Sequence, residues 1–158
     1  MNELMQAVSQ AETIAIGGHV RPDGDCIGSC MGLYSYIQDN FPGKKVTVYV
    51  EEIPSAFDYL SKEEAMTEQC GADQVYDLFV ALDCGDKERL GEAAGILEKA
   101  KATYCVDHHI TNTHFCQKEQ VEADASSTSQ ILYTLMEDEK ISYATACCLY
   151  TGIIHDTG

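Results

Sequence analysis

The sequence is short of basic residues. It contains 10 Lys and Arg against 26 Asp and Glu, which gives a net charge of −16 at pH 7. Because binding to extended nucleic acid relies on positive side chains along the phosphate backbone, this balance argues against long duplex nucleic acid as a partner. A small anionic substrate is still compatible with the composition, since bound divalent cations can reverse the sign of the local charge.

The chain also lacks a C-x-x-C pair among its eight cysteines, and it lacks long apolar runs. A zinc ribbon or a thioredoxin-like motif is therefore not supported. Its apolar runs are too short to span a bilayer, and its first residues resemble neither a signal peptide nor a membrane anchor. Most of the cysteines fall in apolar patterns, where a thiol behaves as a small buried hydrophobe. We expect a cytoplasmic protein with no membrane partner.

Hydrophobic periodicity predicts strands that alternate with helices. Strand-like runs occupy residues 13–16, 46–50, 78–82 and 103–106, and helical spacing begins at Ile27, Ala93, Ser127 and Ser142. Residues 53–71 are predicted to be irregular, with Phe57, Tyr59 and Leu60 against the core. The last helix is predicted to bury Ala146, Leu149, Tyr150 and Ile153. The 158 residues suffice for one domain, and the alternation predicts an α/β fold, with a mainly parallel sheet and helices on both faces.

The segment HVRPDGD at residues 19–25 lies between a predicted strand and a predicted helix. It offers the imidazole of His19 and the carboxylates of Asp23 and Asp25, which can hold one metal ion or divide between two. The alternative is an acidic turn in which one carboxylate caps the following helix.

Asp83 follows the apolar run 78–82, at the carboxyl end of a predicted central strand. A carboxylate in that position is well placed to bridge two cations. The alternative for Asp83 is a helix N-cap, a role that Asp86 fits better.

Asp107, His108 and His109 follow another predicted strand. Adjacent histidines with an acid at a strand end are typical of a metal or catalytic site. His108 can bind a metal through one ring nitrogen while Asp107 or a backbone carbonyl orients the other nitrogen. His109 is then expected to face outward, where it can meet a phosphate oxygen.

Asp156 ends the last apolar helix and is a further candidate ligand. We expect His155 to support the site or to be exposed, and His114 to be a surface histidine. Residues 126–128 predict a helix cap, with a phosphate at that helix N-terminus as the weaker alternative.

These candidates are rich in carboxylates, include a few imidazoles and contain no thiolate. That ligand set suits Mn²⁺ or Mg²⁺ better than a structural zinc or an iron–sulfur cluster. Two cations that share a carboxylate are suited to phosphoester hydrolysis. We therefore expect a phosphoesterase site at the rim of the sheet.

Four segments, HVRPDGDCIGS, VALDCGD, VDHH and GIIHDTG, resemble the signature motifs of the DHH phosphoesterase superfamily in order and spacing. The resemblance implies one metal held by His19, Asp23 and Asp83. It implies a second metal, with Asp83 as the bridge, held by the following residues: Asp25, Asp83, His108 and Asp156. The family usually prefers manganese, so two Mn²⁺ are expected, with Mg²⁺ as the alternative.

The resemblance also assigns roles beyond the metals. Asp83 is expected to be catalytic through the bridge, Asp107 to act as a supporting acid, and His109 to meet the substrate phosphate. Arg21, in the first motif, is the main candidate for a basic substrate contact.

The segment ADASSTSQILYTL is similar to the branch of oligoribonucleases that also dephosphorylate 3′-phosphoadenosine 5′-phosphate. The expected function is hydrolysis of short oligonucleotides to mononucleotides and removal of that 3′-phosphate. A cyclic dinucleotide phosphodiesterase is the enzymatic alternative. A non-catalytic metal-binding or regulatory module, compatible with a homodimer, is the alternative of another class.

Members of this family normally continue into a second domain that grips the substrate. Residues 1–158 correspond to the DHH catalytic domain, and a C-terminal substrate-binding domain is expected in the full-length protein. By itself the chain is expected to be weakly active or inactive.

Overall fold

The computed structural model describes residues 1–51, 53–60, 66–67 and 74–157. Within these residues, six strands form one sheet in the order β3–β2–β1–β4–β5–β6, and every neighbouring pair is parallel. The strands are β1 (Thr13–Gly17), β2 (Lys45–Tyr49), β3 (Met66–Thr67), β4 (Leu78–Leu82), β5 (Ala102–Asp107) and β6 (Lys118–Val121). The predicted parallel sheet is confirmed.

The helices lie on both faces of this sheet, as predicted. They are α1 (Glu3–Gln10), α2 (Gly24–Asn40), α3 (Ala93–Lys99), α4 (Thr128–Leu135) and α5 (Tyr143–Thr157). Alternate strand residues face opposite layers. Ile14 and Ile16 pack in the core that α1, α2, α4 and α5 cover, whereas Ala15 packs in the core beneath α3.

Helix α1 and strand β6 were not predicted from the sequence. Helix α1 is short and buries Leu4, Met5 and Val8, which occupy too few turns to establish a periodicity. Strand β6 lies at the edge of the sheet, and its residues Lys118–Val121 are exposed or half-buried. An edge strand needs little apolar sequence, because only one side of it is paired.

The predicted buried face of α5 is confirmed at Leu149 and wrong at Ala146, Tyr150 and Ile153. Tyr150 is 66% exposed, Ala146 is exposed and Ile153 is half-buried, while Thr145, Cys148 and Leu149 are buried. Helix α5 packs tightly on α2 through small residues: a Cβ built on Gly28 would lie 2.5 Å from the carbonyl oxygen of Cys148. The buried face of α5 was therefore selected by the close approach of two backbones rather than by the bulkiest side chains.

The segment predicted to be irregular contains a 3₁₀ helix at Ser55–Leu60 and the short strand β3. Leu60 is buried and Phe57 packs against the core, as predicted. Tyr59 is 67% exposed, so its predicted packing is wrong. Its hydroxyl is instead 2.9 Å from Oγ1 of Thr151 on α5. Residues 61–65 and 68–71 of this segment lie outside the described residues.

The strand order reverses direction at β1, which pairs with β2 on one side and with β4 on the other. Helix α2 follows β1 on one face, and α3 follows β4 on the opposite face. The carboxyl ends of β1 and β4 therefore border a crevice, the usual ligand position in sheets of this type. Across the described part of the chain, no helix combines the length and the apolar character needed to cross a membrane.

Candidate metal centre

The carboxyl rim of the sheet brings the predicted ligands together. His19 follows β1, Asp83 follows β4, and His108 follows β5. Three more carboxylates come from helix ends: Asp23 and Asp25 at the start of α2, and Asp156 in the last turn of α5. Together with His109 and His155, these residues form four overlapping groups of three among the described residues, with the ligand atoms in each group at most 4.8 Å apart: His19, Asp23 and Asp83; Asp25, His108 and Asp156; Asp83, His108 and His109; and Asp23, His155 and Asp156.

Asp83 lies between two imidazoles. Its Oδ2 is 3.4 Å from Nε2 of His19, and its Oδ1 is 3.3 Å from Nε2 of His108. The backbone of Asp83 has φ of 58°, in the left-handed region, which Asp adopts more readily than most residues. Its N–H donates to the carbonyl oxygen of Val106 at 3.0 Å. This turn directs each carboxylate oxygen towards a different histidine.

The first group, which we call the His19 cluster, consists of His19, Asp23 and Asp83. Nδ1 of His19 lies 2.7 Å from the carbonyl oxygen of Val20, a contact that points Nε2 towards the acids. Oδ1 of Asp23 is 3.7 Å from that Nε2, and it also accepts a hydrogen bond from the N–H of Cys26 at 2.9 Å. Asp23 is thus both the N-cap of α2 and a candidate ligand.

The His108 cluster, as we call it, is the group of Asp25, His108 and Asp156 together with Asp83, whose Oδ1 also faces His108. Nε2 of His108 lies 3.6 Å from Oδ2 of Asp25, 3.3 Å from Oδ1 of Asp83 and 3.4 Å from Oδ2 of Asp156. Within the described residues this nitrogen is buried and has no hydrogen-bond partner. One imidazole nitrogen and three carboxylates around the same point form a set of ligands that suits a divalent cation.

Asp25 is fully buried at the N-terminus of α4. Its Oδ2 accepts a hydrogen bond from the N–H of Thr128 at 2.9 Å, and its Oδ1 accepts from the N–H and hydroxyl of Ser129 at 3.0 and 2.8 Å. The next N–H, that of Gln130, donates to Oγ of Ser127. The predicted cap is therefore present, with Ser127 in the N-cap position. The first N–H groups of α4 have protein acceptors, which argues against the alternative of a phosphate there.

Asp107 orients His109 rather than His108. Nδ1 of His109 lies 2.6 Å from Oδ1 of Asp107, which is fully buried. The side-chain amide of Asn112 donates to Oδ2 of Asp107 at 2.8 Å, so both carboxylate oxygens are held. The His109 side chain is 39% exposed. Of the two partners expected for His108, Asp107 or a backbone carbonyl, Asp107 is hydrogen-bonded to the accessible His109 instead and is itself held by Asn112.

The remaining candidates, Arg21 and His155, are exposed residues in or next to the segments that carry the ligands. Arg21 is exposed, and its backbone N–H donates to a carboxylate oxygen of Glu51 at 2.8 Å. His155 is exposed, as expected, with Nδ1 3.8 Å from Oδ1 of Asp156 and its ring in edge contact with Phe57.

Two further residues have the roles that the sequence predicted. His114 is an exposed histidine whose Nδ1 lies 2.8 Å from a carboxylate oxygen of Glu119. Asp86 caps the 3₁₀ helix Lys87–Leu90 by accepting from the N–H of Arg89 at 2.9 Å.

The close packing of acids and imidazoles shifts their pKa values. Burial opposes the charge of His19, but the nearby carboxylates of Asp23 and Asp83 outweigh it and raise the pKa of His19 to about 11. The Asp83 carboxylate, 3.3 Å from Nε2, raises the pKa of His108 to about 9, against the effect of burial. Burial and the charge of Asp83 raise the pKa of Asp25 to about 8. Without a cation, protons therefore balance the negative charge of this centre.

Sequence reasoning missed Asn112, and it missed that Thr128 and Ser129 contact the site. Besides its N–H contact to Asp25, Thr128 donates its hydroxyl to Oδ1 of Asp83 at 3.2 Å. The helix-cap signal at residues 126–128 was visible in the sequence. The carboxylate at that helix end belongs to Asp25, which is 103 residues away, and no local pattern identifies it.

Comparison with known proteins places these observations in context. A model described as the DHH family, N-terminal domain, matches residues 13–153. The chain is 31% identical over 157 residues to the probable bifunctional oligoribonuclease and PAP phosphatase NrnA of Streptococcus mutans, covering 98% of this chain and 49% of that protein. It is 25% identical over 177 residues to the cyclic-di-AMP phosphodiesterase PdeA of Listeria monocytogenes, covering 98% of this chain and 26% of that protein.

A solved structure agrees with the fold. The crystal structure of an exopolyphosphatase-related protein from Bacteroides fragilis matches with a TM-score of 0.85 and 26% identity, covering 98% of this chain and 49% of that one. The chain thus spans about half the length of the NrnA proteins that it matches.

Proposed function

The chain belongs to the DHH family, and from that premise we propose that it is a phosphoesterase that uses two divalent cations, preferably Mn²⁺. The observation that carries this proposal is the position of Asp83, whose two carboxylate oxygens lie 3.4 Å from His19 and 3.3 Å from His108. A carboxylate that faces two imidazoles from opposite oxygens is suited to bridge two cations.

In this proposal the His19 cluster holds one cation and the His108 cluster holds the other. When bound, the cations would activate water as a nucleophile and neutralise charge on the phosphoryl group. The chain's own residues determine where this happens: Asp83 joins the two positions, and the contact of His19 with the Val20 carbonyl fixes its ring. The unpartnered Nε2 of His108 supports the second position.

His109 is proposed to act on the substrate rather than on a cation. Asp107 accepts the Nδ1–H of His109, so Nε2 is the nitrogen that can meet a phosphate oxygen. The buried carboxylate favours a protonated ring: its hydrogen bond to Nδ1 raises the pKa of His109. A positioned, protonated imidazole can neutralise a phosphate oxygen or donate a proton to a leaving group. Asp107 is a positioning residue in this scheme, because its oxygens contact His109 and Asn112.

For the substrate we propose short oligonucleotides, cleaved to mononucleotides, and the 3′-phosphate of 3′-phosphoadenosine 5′-phosphate. The relatives at 28–31% identity are named as bifunctional oligoribonucleases and PAP phosphatases, which supports this choice. A cyclic dinucleotide is the second candidate, supported by the similarity to cyclic-di-AMP phosphodiesterases at 23–26% identity. Arg21, exposed in the loop between His19 and Asp23, is proposed as a basic contact to substrate.

We further propose that a second domain contributes to substrate binding in the full-length protein. Contacts remote from the reacting phosphate often support the chemical step as well as affinity. The 10 basic residues of this chain, against 26 acids, offer few such contacts. Residues 1–158 are therefore expected to bind Mn²⁺ and to hydrolyse a dinucleotide far more slowly than a chain that carries the second domain. Equal rates would place recognition within residues 1–158.

The test is Mn²⁺-dependent hydrolysis of a substrate panel: a dinucleotide, 3′-phosphoadenosine 5′-phosphate and a cyclic dinucleotide. The parent is compared with His109→Ala and with His114→Asn, the latter a histidine outside the site. His109→Ala is expected to retain Mn²⁺ binding and to slow turnover by about 10²–10⁴-fold, whereas His114→Asn should behave as the parent. Mn²⁺ binding without hydrolysis of any panel member, also in the two-domain form, would favour the non-catalytic module.

A further inference from the structure

Thr128 donates hydrogen bonds to Asp25 and Asp83, two of the carboxylates that face Nε2 of His108. Its N–H donates to Oδ2 of Asp25 at 2.9 Å, and its hydroxyl donates to Oδ1 of Asp83 at 3.2 Å. These are the same two oxygens that lie 3.6 and 3.3 Å from Nε2 of His108. Thr128 is fully buried, so its hydroxyl is directed by packing as well as by hydrogen bonding.

The backbone of Thr128 is fixed by the elements around it. Thr128 is the first residue of α4, and Ser127 caps that helix by accepting from the N–H of Gln130. Helix α5 packs against the same turn through Gly152. A Cβ on Gly152 would overlap Oγ of Ser129 and would lie 3.0 Å from Oδ1 of Asp25, so only glycine leaves room for both side chains. The start of α4 is thus held from two sides.

The Thr128 contacts are unequal for the two metal positions. Of the four residues in the His108 cluster, Thr128 contacts Asp25 and Asp83, each at the oxygen that faces His108. In the His19 cluster it contacts only the shared Asp83, at the oxygen opposite the one that faces His19.

We propose that Thr128 is a positioning residue of the metal centre, which sets the separation of the Asp25 and Asp83 oxygens and thereby the affinity of the His108 cluster for its cation. This inference rests on the proposed two-metal function. Groups that hold metal ligands in place typically contribute 10–100-fold to metal affinity. The same contribution is expected here, for one of the two positions.

The test is calorimetric titration of the metal-free protein with Mn²⁺, resolved into two binding steps. Asp23→Asn, which keeps the N-cap of α2, identifies the step of the His19 cluster. Asp156→Asn identifies the step of the His108 cluster. A parent that takes up no Mn²⁺ would overturn the proposed function itself, whereas the inference about Thr128 depends only on differences between variants.

Thr128→Val keeps the shape and the N–H of the residue but removes its hydroxyl. We expect it to weaken the step of the His108 cluster by about 10-fold or more and to change the step of the His19 cluster much less. Thr128→Ser restores the hydroxyl and should recover the parent affinity. Thr134→Val is the matched control on α4, because the hydroxyl of Thr134 donates only to the Ile131 carbonyl in the described structure. It should leave both steps unchanged.

Circular dichroism of each metal-free variant verifies the fold before titration. Should Thr128→Val not fold, Thr128→Ala gives the same test, because it removes the same hydroxyl from Oδ1 of Asp83 and should weaken the same step. Unchanged titrations in these variants, equal losses in both steps, or a Thr128→Ser protein as weak as Thr128→Val would each overturn the proposal.

Discussion

Nε2 of His108 lies 3.3 Å from Oδ1 of Asp83, and this buried nitrogen has no hydrogen-bond partner among the described residues. Leaving a buried polar atom unsatisfied costs about 1–3 kcal/mol. A bound cation would remove this cost and would also relieve the repulsion among the surrounding carboxylates. The metal-free state should therefore be less stable than the metal-bound state.

Mn²⁺ is expected to raise the unfolding temperature. At a free concentration about 100 times the Kd, binding adds about 2.7 kcal/mol to the free energy of unfolding. For a chain of this size that corresponds to roughly 5–10 °C, measurable by differential scanning calorimetry. In Asp83→Asn most of the shift should be lost, and Asn tolerates the positive φ at this position. Asp86→Asn, a change at a helix cap outside the proposed ligands, is the control and should retain the full shift. A shift in Asp83→Asn as large as that of the parent would contradict the proposal that Asp83 bridges the two cations.

The stability of chelator-treated protein should fall as the pH rises. The pKa values of His19, His108 and Asp25 are raised in the folded state, to about 11, about 9 and about 8. Each group contributes stability that is complete below its unfolded pKa and is lost as the pH rises through its folded pKa. The unfolding temperature is therefore expected to decrease between about pH 6.5 and pH 9. A temperature that is constant or rises over this window would contradict the assignment.

Mn²⁺ displaces the same protons, so its apparent affinity should increase with pH over that window. Calorimetry in two buffers that differ in protonation enthalpy measures the number of protons released. A binding heat that is independent of the buffer would mean that the imidazoles are already neutral.

Asn112→Ala should slow catalysis without affecting the metals. The change removes the amide that holds Oδ2 of Asp107, so the carboxylate and the ring of His109 lose their fixed orientation. We expect kcat to fall by about 10-fold or more, within the range of a lost contribution to proton transfer. The Mn²⁺ titration should match that of the parent. His114→Asn, in the same loop, is the control. A loss of metal affinity in Asn112→Ala would contradict the view that Asn112 acts only through Asp107 on His109.

Gly152→Ala should destabilise the protein and weaken Mn²⁺ binding together. Its new methyl group would overlap the hydroxyl of Ser129 and approach Oδ1 of Asp25 to 3.0 Å. Overpacking of this kind typically costs about 1–3 kcal/mol. Gly95→Ala is the matched control within a helix, because a Cβ there meets nothing within 4 Å and Ala is the better helix former. Chemical denaturation should show a loss for Gly152→Ala and a small gain for Gly95→Ala.

The sequence by itself determined the chemistry of the candidate site and the class of the fold. The candidate ligands follow strands or adjoin helix ends, and parallel strands bring their carboxyl ends to one rim. Asp83 could therefore be recognised as a central carboxylate, and Asp86 as a separate helix cap. The alternation of strands and helices likewise predicted the parallel sheet, because hydrophobic periodicity is a local property.

The tertiary structure alone decided how the ligands are held. Asp25 of α2 accepts hydrogen bonds from the start of α4, 103 residues away. Asp107 is hydrogen-bonded to His109. Helix α5 buries the face that packs against Gly28 rather than the face that carries Tyr150. The physical reason is the same in each case. Hydrogen bonds to helix ends and close contacts between backbones depend on the meeting of distant segments, and periodicity along the chain carries no information about which segments meet.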